Sequence, residues 1–121
     1  KNSRSERPHI LIADDNEINL TLLSFMLEEL NITFDSVVNG AEALNLLSTK
    51  PYQLALIDLN MPVLNGFEVI QSIRKNDISV PAIAISAYAE KNIIEKALAM
   101  GFNHYVTKPI DENINYFFSI R

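Results

Sequence analysis

The chain has 121 residues, 48% of them hydrophobic, and a formal net charge of −5 from 15 acidic side chains against 10 Lys and Arg. This suits one domain with a single packed core, and with no basic run beyond Arg74-Lys75 it excludes the electrostatic footprint of a nucleic-acid binder. With no cysteine, no apolar leader and no uncharged apolar run near the roughly 20 residues of a membrane span, it excludes a disulfide framework, thiolate zinc and a membrane contact of its own.

Those absences fit a soluble chain in the cytoplasm, or the cytoplasmic portion of a membrane-anchored protein. The first eight residues, "KNSRSERP", are polar and aperiodic, lack an initiating Met and stop at a proline. They read as a linker or cloning remnant of a longer chain, with the folded domain expected over 9–121. "HILIA" (9–13) is the first strand candidate, followed by Ile18, Leu22, Met26 and Leu30, whose four-residue recurrence predicts one face of a helix. "TFDSVV" (33–38) is a second, more polar strand, and Asn39-Gly40 predicts a turn before a helix carrying Ala43, Leu44 and Leu47. "QLALI" (53–57) precedes a helix with Val69, Ile70 and Ile73. "PAIAIS" (81–86) precedes one with Ile94, Ala97 and Leu98, stopped by Gly101. "HYV" (104–106) leads to a last helix from Asp111 to about Ile120, marked by Ile114, Phe117 and Phe118.

Five strand-helix units with nearly all-apolar first, third and fourth strands predict an α/β three-layer fold around a parallel, doubly wound sheet. In such sheets ligands bind beyond the carboxyl ends of the strands. Asp14 and Asp15 follow strand 1, Asp58 follows strand 3, Ser86 ends strand 4, and Thr107 and Lys108 follow strand 5. Singly, each has a plain explanation: Asp14, Asp15 or Asn16 as a helix cap, Ser86 as a loop hydroxyl, Lys108 as a solvated side chain. Asp58 resists one, because it ends an apolar strand and the next segment, "LNMPVLNG", is an irregular loop that needs no cap. Three carboxylates at one sheet edge repel unless a cation holds them ionised, and a hard divalent ion with oxygen ligands, Mg²⁺ or Mn²⁺, answers that need. With a lysine and a hydroxyl beside it, the set suits phosphoryl transfer onto Asp58 as an acyl phosphate.

"ILIADDNEIN", "ALIDLNMPVLNG", "IAISA" and "HYVTKP", in this order, closely resemble the signature segments of response-regulator receiver domains, the CheY-like phosphoacceptor modules of two-component signalling, from about His9 onward. The resemblance implies a flavodoxin-like fold of sheet order 2-1-3-4-5. It assigns Asp14 and Asp15 as the acidic pair holding Mg²⁺, Asp58 as the phosphorylated residue, and Asn60 as the backbone carbonyl that completes the metal shell. Ser86 and the Ala87 amide are assigned to the phosphoryl group. Lys108 matches the family's lysine, joined to Pro109 by a cis peptide bond, and Tyr105 its aromatic switch. Asn60 and Tyr88 fall where the family tunes dephosphorylation, and the aromatic at Tyr88 is expected to lengthen the phosphoryl lifetime.

The implied reaction takes a phosphoryl group from a phosphohistidine on a histidine kinase or phosphotransfer domain. The chain assists its own phosphorylation and dephosphorylation without being a turnover enzyme, and switches the face formed by helix 4, strand 5 and helix 5. A dimer contact through that face and a parent histidine kinase are further expectations. "DDNEIN", with Asn16 and Asn19 after the acidic pair, resembles receivers of hybrid sensor histidine kinases more than those fused to DNA-binding effectors; its plain explanation is a helix start at Asn16 and a polar Asn19 facing solvent. His9 and His104 receive no role. An aspartyl-nucleophile phosphatase like the haloacid dehalogenases is the alternative, but it wants a second aspartate where Asn60 stands. A phosphorylation-independent interaction module is the third reading. A nucleotide-binding module is the weakest, because three glycines form neither phosphate-binding motif.

Overall fold

The computed structural model describes residues 9–118; the expected linker and the end of the last helix lie outside the described residues. The apolar runs become strands β1 (His9–Ala13), β2 (Thr33–Val37), β3 (Leu54–Asp58), β4 (Ala82–Ser86) and β5 (His104–Thr107). Between them lie helices α1 (Glu17–Glu29), α2 (Gly40–Thr49), α3 (Gly66–Lys75) and α4 (Lys91–Met100), and after β5 a 3₁₀ turn (Glu112–Ile114) runs into α5 (Asn115–Phe118). All strand pairs are parallel and the order is β2-β1-β3-β4-β5, the flavodoxin-like arrangement expected.

Because successive strand residues point to opposite faces, each strand feeds two cores. One face presents Ala13, Ala55, Ala82 and Ala84 with Leu11 and Ile57, packed against Ala43 and Leu47 of α2, Val69, Ile70 and Ile73 of α3, and Ala97 of α4. The other presents Ile10, Ile12, Leu56, Ile83 and Ile85 against Leu23 and Leu27 of α1 and Ile114 and Phe118 after β5. Four alanines let three helices lie close on one side, whereas larger aliphatic side chains fill the space under two helices on the other.

The helices start where side chains take over unpaired amides. Asn16 accepts from the Asn19 amide, Asn39 from that of Glu42, and Asn65 and Glu68 form a reciprocal capping box. Asn39-Gly40 is thus the cap and first residue of α2 rather than a separate turn.

Two helix faces differ from the sequence reading. In α1, Ile18 is 79% exposed and Leu30, its C-terminal cap, 44%, while the buried pair is Leu23 and Leu27. A strict four-residue recurrence drifts by about 40° per step around a helix of 3.6 residues per turn, so it cannot stay on one buried stripe. In α4, Leu98 is exposed and the core takes Ala97, with Ile93 and Met100 packed beside it. Asp58 belongs to β3 itself, Thr107 to β5, and Val38 lies beyond β2.

Candidate functional site

β1 and β3 are neighbours with Ala13 paired to Ile57, so Asp14 and Asp58, one residue further along each strand, emerge side by side. The Asp14 amide donates to Val37 O at 3.1 Å, prolonging β1 as the site begins. Asp14 and Asp58 are each 1% exposed, whereas Asp15 faces solvent, and one carboxylate oxygen from each of the three lies within 4.8 Å of the others.

β5 delivers the counter-charge from the far side of β4. Lys108 Nζ donates to Asp58 Oδ2 at 2.8 Å and stands 3.7 Å from Asp14 Oδ2, and the Lys108 amide donates to Ser86 O at 2.7 Å. Amides hold the carboxylates from the other side. Asn60 N–H donates to Asp58 Oδ1 at 2.9 Å, Asn16 N–H to Asp14 Oδ1 at 2.9 Å, and Asn19 Nδ2 to Asp14 Oδ2 at 3.2 Å. The plain explanation of Asn19 as a solvent-facing polar residue therefore does not hold: it orients an acidic side chain. Its position five residues after Asp14, one helical turn beyond the cap, was the available signal.

Burial pushes the Asp58 carboxyl up to about 6, with Asp14 adding to the rise and the Lys108 and Asn60 donors working against it. For Lys108 burial acts to lower the pKa, but the carboxylates of Asp58, Asp14 and Asp15 outweigh it and hold the ammonium above its usual value. One ammonium against three carboxylates leaves the centre short of positive charge. Hard oxygen donors, two buried and one open to water, fit Mg²⁺, which uses one or two carboxylates and keeps several waters.

Ser86 ends β4 fully buried, and its Oγ accepts from the Tyr88 amide at 3.0 Å. Ala87 and Tyr88 follow at the exposed rim, with Tyr88 46% exposed. Tyr105 packs against the three-helix side of the core and donates its hydroxyl to Tyr88 O at 2.7 Å. Lys108–Pro109 is cis. Among the positions singled out at the strand ends, Thr107 is exposed at the end of β5.

A parallel sheet that brings an acidic pair, a buried strand-end aspartate and an edge-strand lysine to one rim defines a phosphoacceptor module. The sequence profile of the response regulator receiver domain matches residues 10–114, and the chain belongs to that family. The sensor histidine kinase GacS of Pseudomonas protegens is 34% identical over 113 residues, 89% of this chain but 12% of the kinase, so the chain spans only a small part of that relative. The receiver domain of the sensor histidine kinase PA1611 of Pseudomonas aeruginosa, solved with magnesium in its active-site cleft, superposes with a TM-score of 0.83 at 30% identity, covering 93% of both chains. The receiver domain of Ssk1 of Saccharomyces cerevisiae, solved with the histidine phosphotransfer protein Ypd1, superposes with a TM-score of 0.86 at 30% identity over 91% of this chain and 84% of that one.

Proposed function

We propose that this receiver domain takes its phosphoryl group on the Asp58 carboxylate. The observation that carries the assignment is the burial of Asp58 at the end of β3, with Lys108 Nζ at 2.8 Å and the Asp14 and Asp15 carboxylates within 4.8 Å. Asp14, Asp15, Asp58 and the Asn60 backbone carbonyl would hold Mg²⁺. The ion supplies charge neutralisation for the transferring group.

A carboxylate oxygen of Asp58 forms the new O–P bond as the P–N bond of a phosphohistidine breaks, and the departing imidazole keeps the electron pair. Lys108 moves from its carboxylate partner to a phosphoryl oxygen, and the Ser86 hydroxyl and Ala87 amide donate to the others. Asn60, two residues after Asp58, offers no carboxyl for acid or base work, so the acyl phosphate persists as a signal rather than an intermediate of turnover. Tyr88 shields it from the attacking water.

The response runs through Ser86 and Tyr105. Drawing the Ser86 hydroxyl toward the phosphoryl group disturbs its bond to the Tyr88 amide, and the Tyr88 carbonyl is what the Tyr105 hydroxyl holds. The β4–α4 loop and the α4–β5–α5 face move together, changing what that face binds, a second copy included. The partner that delivers the phosphoryl group is a histidine kinase or histidine phosphotransfer domain. The parent chain is a hybrid sensor histidine kinase, with this domain on the cytoplasmic side. No helix among the described residues is long and apolar enough to cross a membrane.

Incubation with Mg²⁺ and acetyl phosphate, followed by intact-mass measurement, tests the assignment. The expected result is one added phosphoryl group that Asp58→Asn abolishes. Repeated turnover of the donor points instead to a phosphatase, and no modification to an interaction module.

A further inference from the structure

The first residue of α2 lies against the loop that leaves the site. A Cβ on Gly40 would stand 1.9 Å from Leu64 O and 2.6 Å from Leu64 C, both backbone atoms that no rotamer change can remove. The Gly40 amide donates to Pro62 O at 3.3 Å, and the Leu64 amide donates to the same oxygen at 2.8 Å. Between those residues Val63 is held at φ 72°, a costly conformation for a β-branched residue, and is 74% exposed. No local feature of the sequence favours that turn, so the surroundings must impose it. The other end of the loop is pinned in the same way: the Gly66 amide donates to Leu59 O at 3.0 Å, and a Cβ there would stand 2.7 Å from Asp58 O.

We propose that Gly40 is a positioning residue for the metal site, acting through the 59–66 loop. Its missing side chain lets α2, which contributes no group to the acidic centre, hold Pro62, and Pro62 is two residues past Asn60. Holding Pro62 thereby fixes where Asn60 lies beside Asp58, and with it the carbonyl that would serve Mg²⁺. This rests on the assignment of that carbonyl to the metal shell. Because Asn60 also donates its amide to Asp58 Oδ1, a displaced loop loosens the acceptor carboxylate as well.

The test begins with the wild-type chain, titrated with Mg²⁺ by calorimetry while amide hydrogen exchange is followed by NMR. If the loop couples the two places, coupling is reciprocal, and Mg²⁺ slows exchange at the Gly40 amide more than at the α2 amides beyond its first turn. Gly40→Ala then weakens Mg²⁺ binding about tenfold, equivalent to ~1.4 kcal/mol. It also raises the Mg²⁺ concentration needed for half-maximal phosphorylation by acetyl phosphate, with the rate recovering at saturation. Ala41→Gly, exposed in the same turn and itself unfavourable to the helix, leaves Mg²⁺ affinity unchanged. If wild type binds Mg²⁺ but exchange at Gly40 does not respond, the positioning role is wrong, even should Gly40→Ala fail to fold. If wild type binds Mg²⁺ and an Asn60 carbonyl carbon shift does not move, the assignment of the metal shell is what fails.

Discussion

Asp35 shows how little of a side chain's role a strand pattern carries. In "TFDSV" it reads only as a polar position on a mixed strand, yet its Oδ2 accepts from Lys50 Nζ at 2.7 Å and from the Tyr52 hydroxyl at 2.6 Å, with His9 Nε2 at 3.1 Å. His9, given no role from the sequence, also lies with Nδ1 2.7 Å from Thr33 Oγ1 and stacks on Tyr52 at 5.3 Å. These residues come from segments that meet only once β1 lies between β2 and β3, so no local spacing announces them. The Lys50 ammonium first, then the Tyr52 hydroxyl, hold the Asp35 carboxyl down at about 2 against the opposing effect of burial. Burial first, then the Asp35 carboxylate, raise the Tyr52 phenol. Because the folded pKa lies below the unfolded one, this stabilisation is present above about pH 4 and is lost as pH falls toward 2. Lys50 is 45% exposed, so water screens the pair, and Asp35→Asn is expected to cost on the order of 1 kcal/mol at neutral pH. Urea unfolding of both chains should show that difference roughly halved at pH 3. A gap that stays constant down to pH 2 would sink the electrostatic account.

At the scale of the element, the strand-end chemistry was legible because a parallel sheet turns sequence position into place: Asp14, Asp58, Ser86 and Lys108 each end or follow a strand, and the register aligns them. The orientation of α1 was not, since that helix is apolar around much of its circumference. Leu23 and Leu27 are buried, Leu20, Leu22 and Met26 lie half-way, and Ile18 and Phe25 stay 79% and 60% exposed. Pattern alone cannot choose a buried stripe from such a helix. The exposed side chains form, with Leu22 and Thr21, an apolar surface at the helix start, which follows directly from Asp14 and Asp15. An apolar surface beside the acidic site suits docking of the protein phosphodonor proposed above. Ile18→Asp or Phe25→Asp should therefore slow phosphoryl transfer from a phosphohistidine protein by about tenfold or more, while phosphorylation by acetyl phosphate continues at its former rate. Stopped-flow or quench measurements with both donors decide the matter. Equal losses with the two donors would place the fault in the fold or the acidic centre instead.

Across the whole molecule, the site works against the stability of the domain that carries it. The folded chain raises the Asp58 carboxyl to about 6, above its ordinary 3.8, so its contribution is fully present below about pH 4 and is lost as pH rises through 6. At pH 7 the ionised group is held in a buried place with Asp14 beside it and a single lysine for relief. Replacing it by a neutral amide of the same shape removes that repulsion, and Asp58→Asn is expected to stabilise the metal-free chain by about 1 kcal/mol, the usual sign of a function bought with stability. Mg²⁺ should change the ranking. At a hundred times its dissociation constant a ligand that binds only the folded state adds about 2.7 kcal/mol, and the wild type, with all three carboxylates, receives more of it than the variant. Urea unfolding in chelator and then in saturating Mg²⁺ should show Asp58→Asn ahead in the first condition and level or behind in the second. If the variant is the less stable chain without metal, the Lys108–Asp58 pair is stronger than the burial and repulsion it answers, and the acidic centre is a stabilising cluster rather than a strained one waiting for its cation.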